Sequence, residues 1–343
     1  MKKVRLGATD LMVTKTSFGA LPIQRIPVEE STKLLQAAFA AGINFYDTAN
    51  AYTDSEKKIG IALGDVRKQI IIATKTAPAS LEEMRRHLDQ SLCDLRTDYI
   101  DIYQLHCSPK LFRPGEEDGV YDWMLEMKRQ GIIRHISITA HKITVAEEAA
   151  ESGLYDTLQY PFSVLAGERE IRLVQKCAEK DVGFIAMKAM AGGLIQHPEV
   201  TFAFLQQYPE VVPIYGIQRE SELHQWLLLD ENPPRWDDSM RELARQEKEG
   251  LGGDFCRSCG YCMPCPQGIP IPNAARISLL MTRAPYAPYL TAEWRANMDK
   301  IETCVNCRQC VSRCPYSLEI PRLLRDQLTW YNAFCNEHRD EIK

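Results

Sequence analysis

The chain has 343 residues, 45% of them hydrophobic and 25% charged, with 41 basic against 46 acidic residues and a formal charge of −5. That composition suits an ordinary folded chain with room for one large domain and a smaller one, whose core needs no disulfide staples. It excludes a general nucleic-acid binder, which would carry a basic stripe, and no apolar run is long enough for a membrane span.

The opening MKKVRLGATD runs into a polar turn with no apolar stretch behind it, so the expected location is cytoplasmic. Thiols stay reduced there, and clustered cysteines then mean metal or catalysis rather than disulfides. Of the 12 cysteines, eight fall between 256 and 314; Cys93, Cys107, Cys177 and Cys335 are scattered.

In VRLGATDLMVTKTSFGA two short strand-like pieces flank a glycine-containing turn, which predicts a hairpin closing the bottom of the fold. Eight short apolar runs come next: KTSFGA (15–20), INFYDT (43–48), IIIAT (70–74), YIDIYQL (99–105), RHISIT (134–139), YDTLQY (155–160), GFIAM (183–187) and VVPIY (211–215). Helical patterns lie between them. In VEESTKLLQAAFAAG, Leu35, Ala38 and Phe39 share a face, Pro27 suits the first turn and Gly42 the C-terminal cap. SLEEMRRHLDQSLCDL (80–95) and YDWMLEMKRQG (121–131) are two more. Strand–helix alternation repeated eight times in about 230 residues predicts a (β/α)8 barrel. An open doubly wound sheet is the alternative, but a dinucleotide-binding sheet would show a GxGxxG turn after an early strand, and none is present.

After Leu229 the texture changes. DENPPRWDD (230–238) reads as a linker, SMRELARQEKEG as a helix, and the cysteine-rich part begins near 254. The expected division is a barrel over 1–232, a linker helix over 233–253, and a small, mostly helical metal domain with a C-terminal helix over 254–343.

Barrels of this kind work at the C-terminal ends of their strands. The second strand ends at Asp47, with Tyr52 five residues on; the third delivers Lys75 and the fourth His106. Carbonyl reduction needs a proton donor as well as a hydride donor, and tyrosine, with a pKa of about 10, is a sluggish acid. An ammonium nearby lowers that pKa, and a carboxylate keeps the ammonium charged. Lys75 and Asp47 fit those two tasks, His106 would orient the carbonyl, and Tyr52 would be the general acid. The contexts GINFYDTANAY, IIATK and DIYQLH, in this order, resemble the aldo-keto reductase superfamily across residues 1 to about 230. The family's tetrad of Asp, Tyr, Lys and His falls on Asp47, Tyr52, Lys75 and His106. Taken singly, each has a plainer reading as a loop residue, an ion pair or a locally satisfied histidine. Cys107 is expected to turn away from the pocket.

The resemblance implies NADPH or NADH across the barrel mouth. Gln159 in DTLQYPF corresponds to a carboxamide contact, and Gly216, Gln218 and Arg219 in YGIQRESEL to the adenosine phosphate loop. Thr139-Ala140 replaces the usual Ser-Asn pair, and Met187 stands where an aromatic stacks on the nicotinamide. Glu222 replaces the arginine that grips a 2′-phosphate, where a carboxylate would repel it. Arg219 could compensate. Lys188 is a candidate for an anionic cofactor or substrate, and Met187 also reads as a plain strand-end core residue. Phe112, Arg113 and Trp123 are pocket-lining candidates, with Trp123 also suited to a helix core.

Two cysteine runs complete the chain. Cys304, Cys307, Cys310 and Cys314 have the spacing C-x2-C-x2-C-x3-C-P of bacterial ferredoxins, whereas zinc sites use separated CxxC pairs. Cys256, Cys259, Cys262 and Cys265 are one residue short in the last gap. By the ferredoxin cross-over rule, Cys256, Cys259 and Cys262 join Cys314 on one 4Fe–4S cluster, and Cys304, Cys307 and Cys310 join Cys265 on a second. After each run comes CP, a short turn, an Ile and a Pro, then a helix; this resembles the α-helical dicluster ferredoxin domain over roughly 254–335.

A hydride carries two electrons and a 4Fe–4S cluster normally one. A flavin could split the pair, but no flavin fingerprint is present. Three functions are expected, in this order: an NAD(P)H-dependent reductase of a small carbonyl substrate with structural or docking clusters; a reductase fed through its clusters by a ferredoxin or flavoprotein partner; or a non-enzymatic electron-transfer or assembly subunit, which the intact tetrad argues against.

Overall fold

In this computed structural model the described residues are 1–77, 80–251, 255–283 and 286–339. The boundary expected at 253/254 lies outside them. Strands β1 (Lys3–Arg5) and β2 (Met12–Thr14) pair antiparallel as the predicted hairpin. Gly7 at its tip has a φ of +58°, and a Cβ there would stand 2.1 Å from the Gly183 nitrogen, so only glycine fits.

Eight strand–helix units come after the hairpin: β3 (Ser17–Gly19) and α1 (Val28–Ala40), β4 (Phe45–Asp47) and α2 (Ser55–Leu63), β5 (Ile71–Thr76) and α3 (Leu81–Asp94), β6 (Ile100–Leu105) and α4 (Val120–Arg129), β7 (Ile133–Thr139) and α5 (Ile143–Ser152), β8 (Thr157–Pro161) and α6 (Glu168–Glu179), β9 (Gly183–Met187) and α7 (Pro198–Gln206), and β10 (Val211–Gly216) and α8 (Glu220–Glu231). Strands β3 to β10 form a closed parallel barrel, with β10 pairing back onto β3 at Ile214↔Ser17. The architecture is the (β/α)8 barrel, not the doubly wound sheet. Every expected strand run overlaps one of these strands.

Side chains alternate along a strand, so each strand sends every second residue inward. Phe45, Ala73, Ile102, Ile185 and Val212 form an apolar layer together with Leu6 and Val13 of the hairpin segment. The hairpin therefore closes the N-terminal end with hydrophobic side chains, each fully buried one contributing about 1.5–3 kcal/mol. Two residues further along β4, β5 and β6, the inward positions become Asp47, Lys75 and Gln104, all buried.

The chain divides into two compact units. One comprises Met1–Ala189 and Pro198–Arg241; the other comprises Met190–His197 and Glu242–Lys343. The division falls inside α9 (Asp238–Leu251), and residues 190–197 go with the second unit for a visible reason. Glu247 Oε1 accepts the Gln196 and His197 N–H groups at 2.8 and 3.1 Å, and Arg283 donates to the Leu194 carbonyl at 2.6 Å and to Glu247 Oε2 at 3.0 Å.

The second unit continues through α10 (Ile271–Ala274), α11 (Ile277–Arg283), α12 (Ala292–Asp299), α13 (Gln309–Ser312) and α14 (Ile320–Glu337). Its core gathers Ile269, Ile277, Met298, Leu324 and Tyr331, with Cys256 and Cys262 among the buried members. Among the described residues, no helix is long and apolar enough to cross a membrane.

Candidate functional site

The four strand-end residues come together at one rim. Lys75 Nζ donates to Asp47 Oδ1 and to the Thr48 carbonyl, both at 2.6 Å, inside the barrel. Tyr52 lies in the turn between β4 and α2, with its ring centroid 5.2 Å from Lys75 Nζ. His106, just past β6, meets the Tyr52 ring edge-on, with centroids 5.7 Å apart at 81°. Tyr52 and His106 remain partly exposed, while Asp47 and Lys75 are buried. The two rings thus reach the surface, and the ion pair lies beneath.

Burial lowers the Lys75 ammonium, but Asp47, Tyr52 and Cys107 together raise it by more and the net shift is upward, so Lys75 stays charged. Burial raises the Tyr52 phenol; Lys75 pulls it down without reversing the shift, while Asp47 and Cys107 act with the burial. Lys75 therefore acts in the expected sense, yet the net direction is up: desolvation of a phenolate at this rim exceeds the attraction of an ammonium already shared with Asp47. Burial, then the charge of Lys75, lowers His106 to about 3, so its imidazole is neutral at neutral pH. Cys107 was expected to turn away; it is half-buried and close enough to bear on both Tyr52 and Lys75.

The residues expected at a nicotinamide are spread over several tasks. Gln159 donates its amide to Asp47 Oδ2 at 2.9 Å. Thr139 Oγ1 accepts the Cys107 N–H at 2.6 Å, fixing the loop after β6. Met187 ends β9 half-buried, and Lys188 follows with a left-handed φ of 58°. Gly216 ends β10 beside Gly19. Beyond it, Glu222 Oε2 accepts the backbone N–H groups of Gln218 and Arg219 at 2.7 and 3.1 Å, capping α8 with its own carboxylate. Among the pocket candidates, Phe112 is buried against Tyr155, Arg113 pairs with Glu148 at 2.6 Å, and Trp123 packs edge-on against Tyr103 in the core.

Sequence reasoning passed over Gln104. Its Nε2 donates to Asp47 Oδ2 at 3.0 Å, and its Oε1 accepts from Ser137 Oγ at 3.2 Å. The available signal was parity: in DIYQLH, Gln104 shares the inward phase of His106.

The cysteine runs fold alike. Ser258 and Asn306, each two residues after the first cysteine of its run, have φ of 52° and 51°. Gly260 and Arg308, each just after the second cysteine, have φ of 83° and 59°; Gly268 and Ser317, three residues after the last, have 67° and 53°. Both runs then enter a helix with proline in its first turn, α10 or α14. The one-residue deficit is thus confined between Cys262 and Cys265, where the second run has the helical turn α13 and the first has none.

A cavity is lined by Cys265, Cys304, Cys307 and Cys310, with Cys262 and apolar Ile271 and Leu324 alongside. Cys256 feels Cys259 and Cys314, and Cys310 feels Cys304 and Cys307. Cys314 thus lies near Cys256 across the two runs, Cys265 lies at the cavity of the second run, and Cys262 feels Cys310 as well as Cys256 and Cys259. Burial pushes the Cys262 thiol up to about 12. Metal binding must therefore displace protons here. Among the described residues, no three His, Cys, Asp or Glu side chains converge on a single ion. Thiols spread around a cavity suit a multinuclear cluster better than one zinc ion.

Comparison with known proteins agrees with both halves. The Aldo/keto reductase family matches residues 15–205, and the 4Fe-4S dicluster domain matches residues 255–319. L-galactose dehydrogenase of Arabidopsis thaliana is 32% identical over 213 residues, covering 55% of this chain and 66% of its own length. The NADH-specific methylglyoxal reductase of Escherichia coli is 27% identical over 227 residues, covering 57% and 69%. The chain spans about two thirds of the length of the curated relatives it matches. An aldo-keto reductase from Bacillus halodurans in its holo form superposes with a TM-score of 0.64 at 20% identity, over 75% of this chain and 99% of that one, a likeness of fold alone.

Proposed function

Because this chain belongs to the aldo/keto reductase family, we propose that its barrel reduces the carbonyl group of a small molecule, with Tyr52 as proton donor. The observation that carries this reading is the Lys75–Asp47 pair at 2.6 Å, set beneath the partly exposed rings of Tyr52 and His106. A dihydronicotinamide, when bound, supplies the hydride.

The chain's own residues supply the rest. His106, neutral, donates a ring N–H to the carbonyl oxygen and holds it near Tyr52. Tyr52 gives up its proton as that oxygen becomes negative, and the Lys75 ammonium favours the phenolate left behind. Asp47 keeps Lys75 charged and its ammonium fixed in the barrel. Thr139, at the end of β7, and Met187 and Lys188, at and just past the end of β9, would border the nicotinamide.

At the far end of the dinucleotide the residues fit NADH and not NADPH. The N–H groups that open α8 already serve Glu222, and a 2′-phosphate would bring a second negative charge to a site holding a carboxylate. The NADH-specific relative points the same way. Two 4Fe–4S clusters fit the cysteines, one on Cys256, Cys259, Cys262 and Cys314, the other on Cys265, Cys304, Cys307 and Cys310.

The test is NADH oxidation by the anaerobically purified protein with methylglyoxal and 4-nitrobenzaldehyde as probes. Turnover by the wild type that is lost in Tyr52→Phe supports the reading; no NADH binding by titration and no turnover sinks it.

A second reading, in which a ferredoxin or flavoprotein feeds the clusters, has one observation in its favour. Cys307 is exposed and Val305 is 63% exposed, both at the cavity of the second cysteine set. Replacing Cys307 and Cys310 by serine separates the two: NADH-driven activity survives under the first reading, and carrier-driven activity disappears under the second.

A further inference from the structure

The interior of the barrel holds a run of polar side chains that the tetrad alone does not account for. Thr157 Oγ1 on β8 donates to Ser137 Oγ on β7 at 2.7 Å. Ser137 Oγ donates to Gln104 Oε1 on β6 at 3.2 Å, and Gln104 Nε2 donates to Asp47 Oδ2 on β4 at 3.0 Å. Lys75 on β5 reaches the other oxygen of the same carboxylate. Thr157, Ser137 and Gln104 are each 0% exposed. An ionised carboxylate only accepts, so the amide of Gln104 must present its NH2 to Asp47 and its carbonyl to Ser137. The Ser137 hydroxyl also lies 3.0 Å from the Thr157 carbonyl; when its proton turns to Gln104, every donor in the run points toward Asp47, and each bond polarises the next in the buried interior.

Asp47 has two effects on the rim. It holds Lys75 charged, and its own negative charge raises the Tyr52 phenol. A donor on Oδ2 draws part of that negative charge away from Lys75 and Tyr52 and fixes the plane of the carboxylate. We propose that Gln104, backed by Ser137 and Thr157, is a positioning residue that holds Asp47 and thereby sets the acid strength of Tyr52. Gln104 does not touch the substrate; it acts through Asp47 and Lys75. The inference rests on the carbonyl-reductase reading and deepens it.

Without the Gln104 amide, Oδ2 keeps only the Gln159 amide at 2.9 Å, more of the Asp47 charge falls on Lys75, the ammonium stabilises the phenolate less, and Tyr52 becomes a weaker acid. Gln104→Leu keeps the volume and removes the donor. Its kcat for methylglyoxal with NADH is expected to fall about tenfold with KM within about twofold, as for a loss felt mainly in the transition state. The alkaline limb of the pH profile should move up by about one unit. Ser137→Ala, which leaves the Gln104–Asp47 bond in place, should shift both in the same sense by less.

A folded Gln104→Leu protein with wild-type kcat and an unmoved limb overturns the proposal. So does a loss in kcat that comes with reduced thermal stability and an unmoved limb, since that is packing alone. If the wild type turns over neither probe, the function fails separately, and carbon-13 labelling of tyrosine Cζ decides the inference. The Tyr52 resonance, identified with Tyr52→Phe, should titrate at higher pH in Gln104→Leu; a phenol protonated up to the same pH in both proteins overturns it.

Discussion

The barrel mouth and the cysteine sites solve opposite problems. At the mouth, Asp47 has Lys75, Gln104 and Gln159 as donors, all from the chain itself and all inside a closed sheet. The eight clustered cysteines form no disulfide, and burial raises Cys256, Cys262 and Cys310 toward the neutral thiol. The first site is assembled by folding. The second gathers thiols whose charged forms are stabilised only when metal arrives, so part of its folding free energy resides in that binding. The barrel buries enough apolar surface to stand without such help, whereas the second unit counts cysteines within its own small core.

The largest effect that would sharpen this contrast is removal of iron. Anaerobic chelation, or Cys307→Ser with Cys310→Ser, should abolish the cooperative unfolding transition of the second unit, where structural metal sites contribute on the order of 10 kcal/mol. The barrel transition should persist in calorimetry. A single transition that disappears whole would break the comparison.

Next comes the mouth itself. Tyr52→Phe should lower kcat by about 10²–10⁴-fold while circular dichroism and thermal unfolding stay close to wild type, because under the proposed function the phenol does chemistry and not packing. Loss of the fold would mean that the rim is less self-sufficient than its hydrogen bonds imply.

A smaller effect concerns acid. His106 has an ordinary value of 6.5 and is lowered to about 3 in the fold. A group that is neutral when folded and takes up a proton when unfolded contributes full stability above 6.5. That contribution declines as pH falls and stops declining near 3, where the folded imidazole is protonated too. His106→Asn should therefore flatten the loss of stability between those values, measured by urea titration at several pH values. An unchanged slope would show that His106 is not neutral at this rim.

The smallest effect lies at α8. Glu222→Arg removes the carboxylate from the Gln218 and Arg219 N–H groups and should cost about 1 kcal/mol of stability. It should also raise affinity for NADPH relative to NADH by about tenfold. No change in that ratio would place the 2′-phosphate elsewhere.

How much of this could be read from the chain alone varies by residue. Asp47, Lys75 and His106 were legible because strand ends in a barrel are fixed by local pattern, and alternation then decides which side chain faces in. Glu222 was legible as a departure, but its task as a helix cap was not, since only φ and ψ decide whether a side chain turns back on its own backbone. Gln104 and Gln159 carry no local sign of their common partner, which sits 57 and 112 residues away in sequence.

The sequence by itself determined the eight strand runs, the hairpin and the two cysteine runs, because hydrophobic period and ligand spacing are short-range properties. Tertiary structure alone decided that Cys265 lines the cavity of the second run, that residues 190–197 go with the second unit, and that one carboxylate gathers an ammonium and two amides. Those outcomes depend on closing the sheet and packing helices, which bring together groups that no spacing along the chain relates.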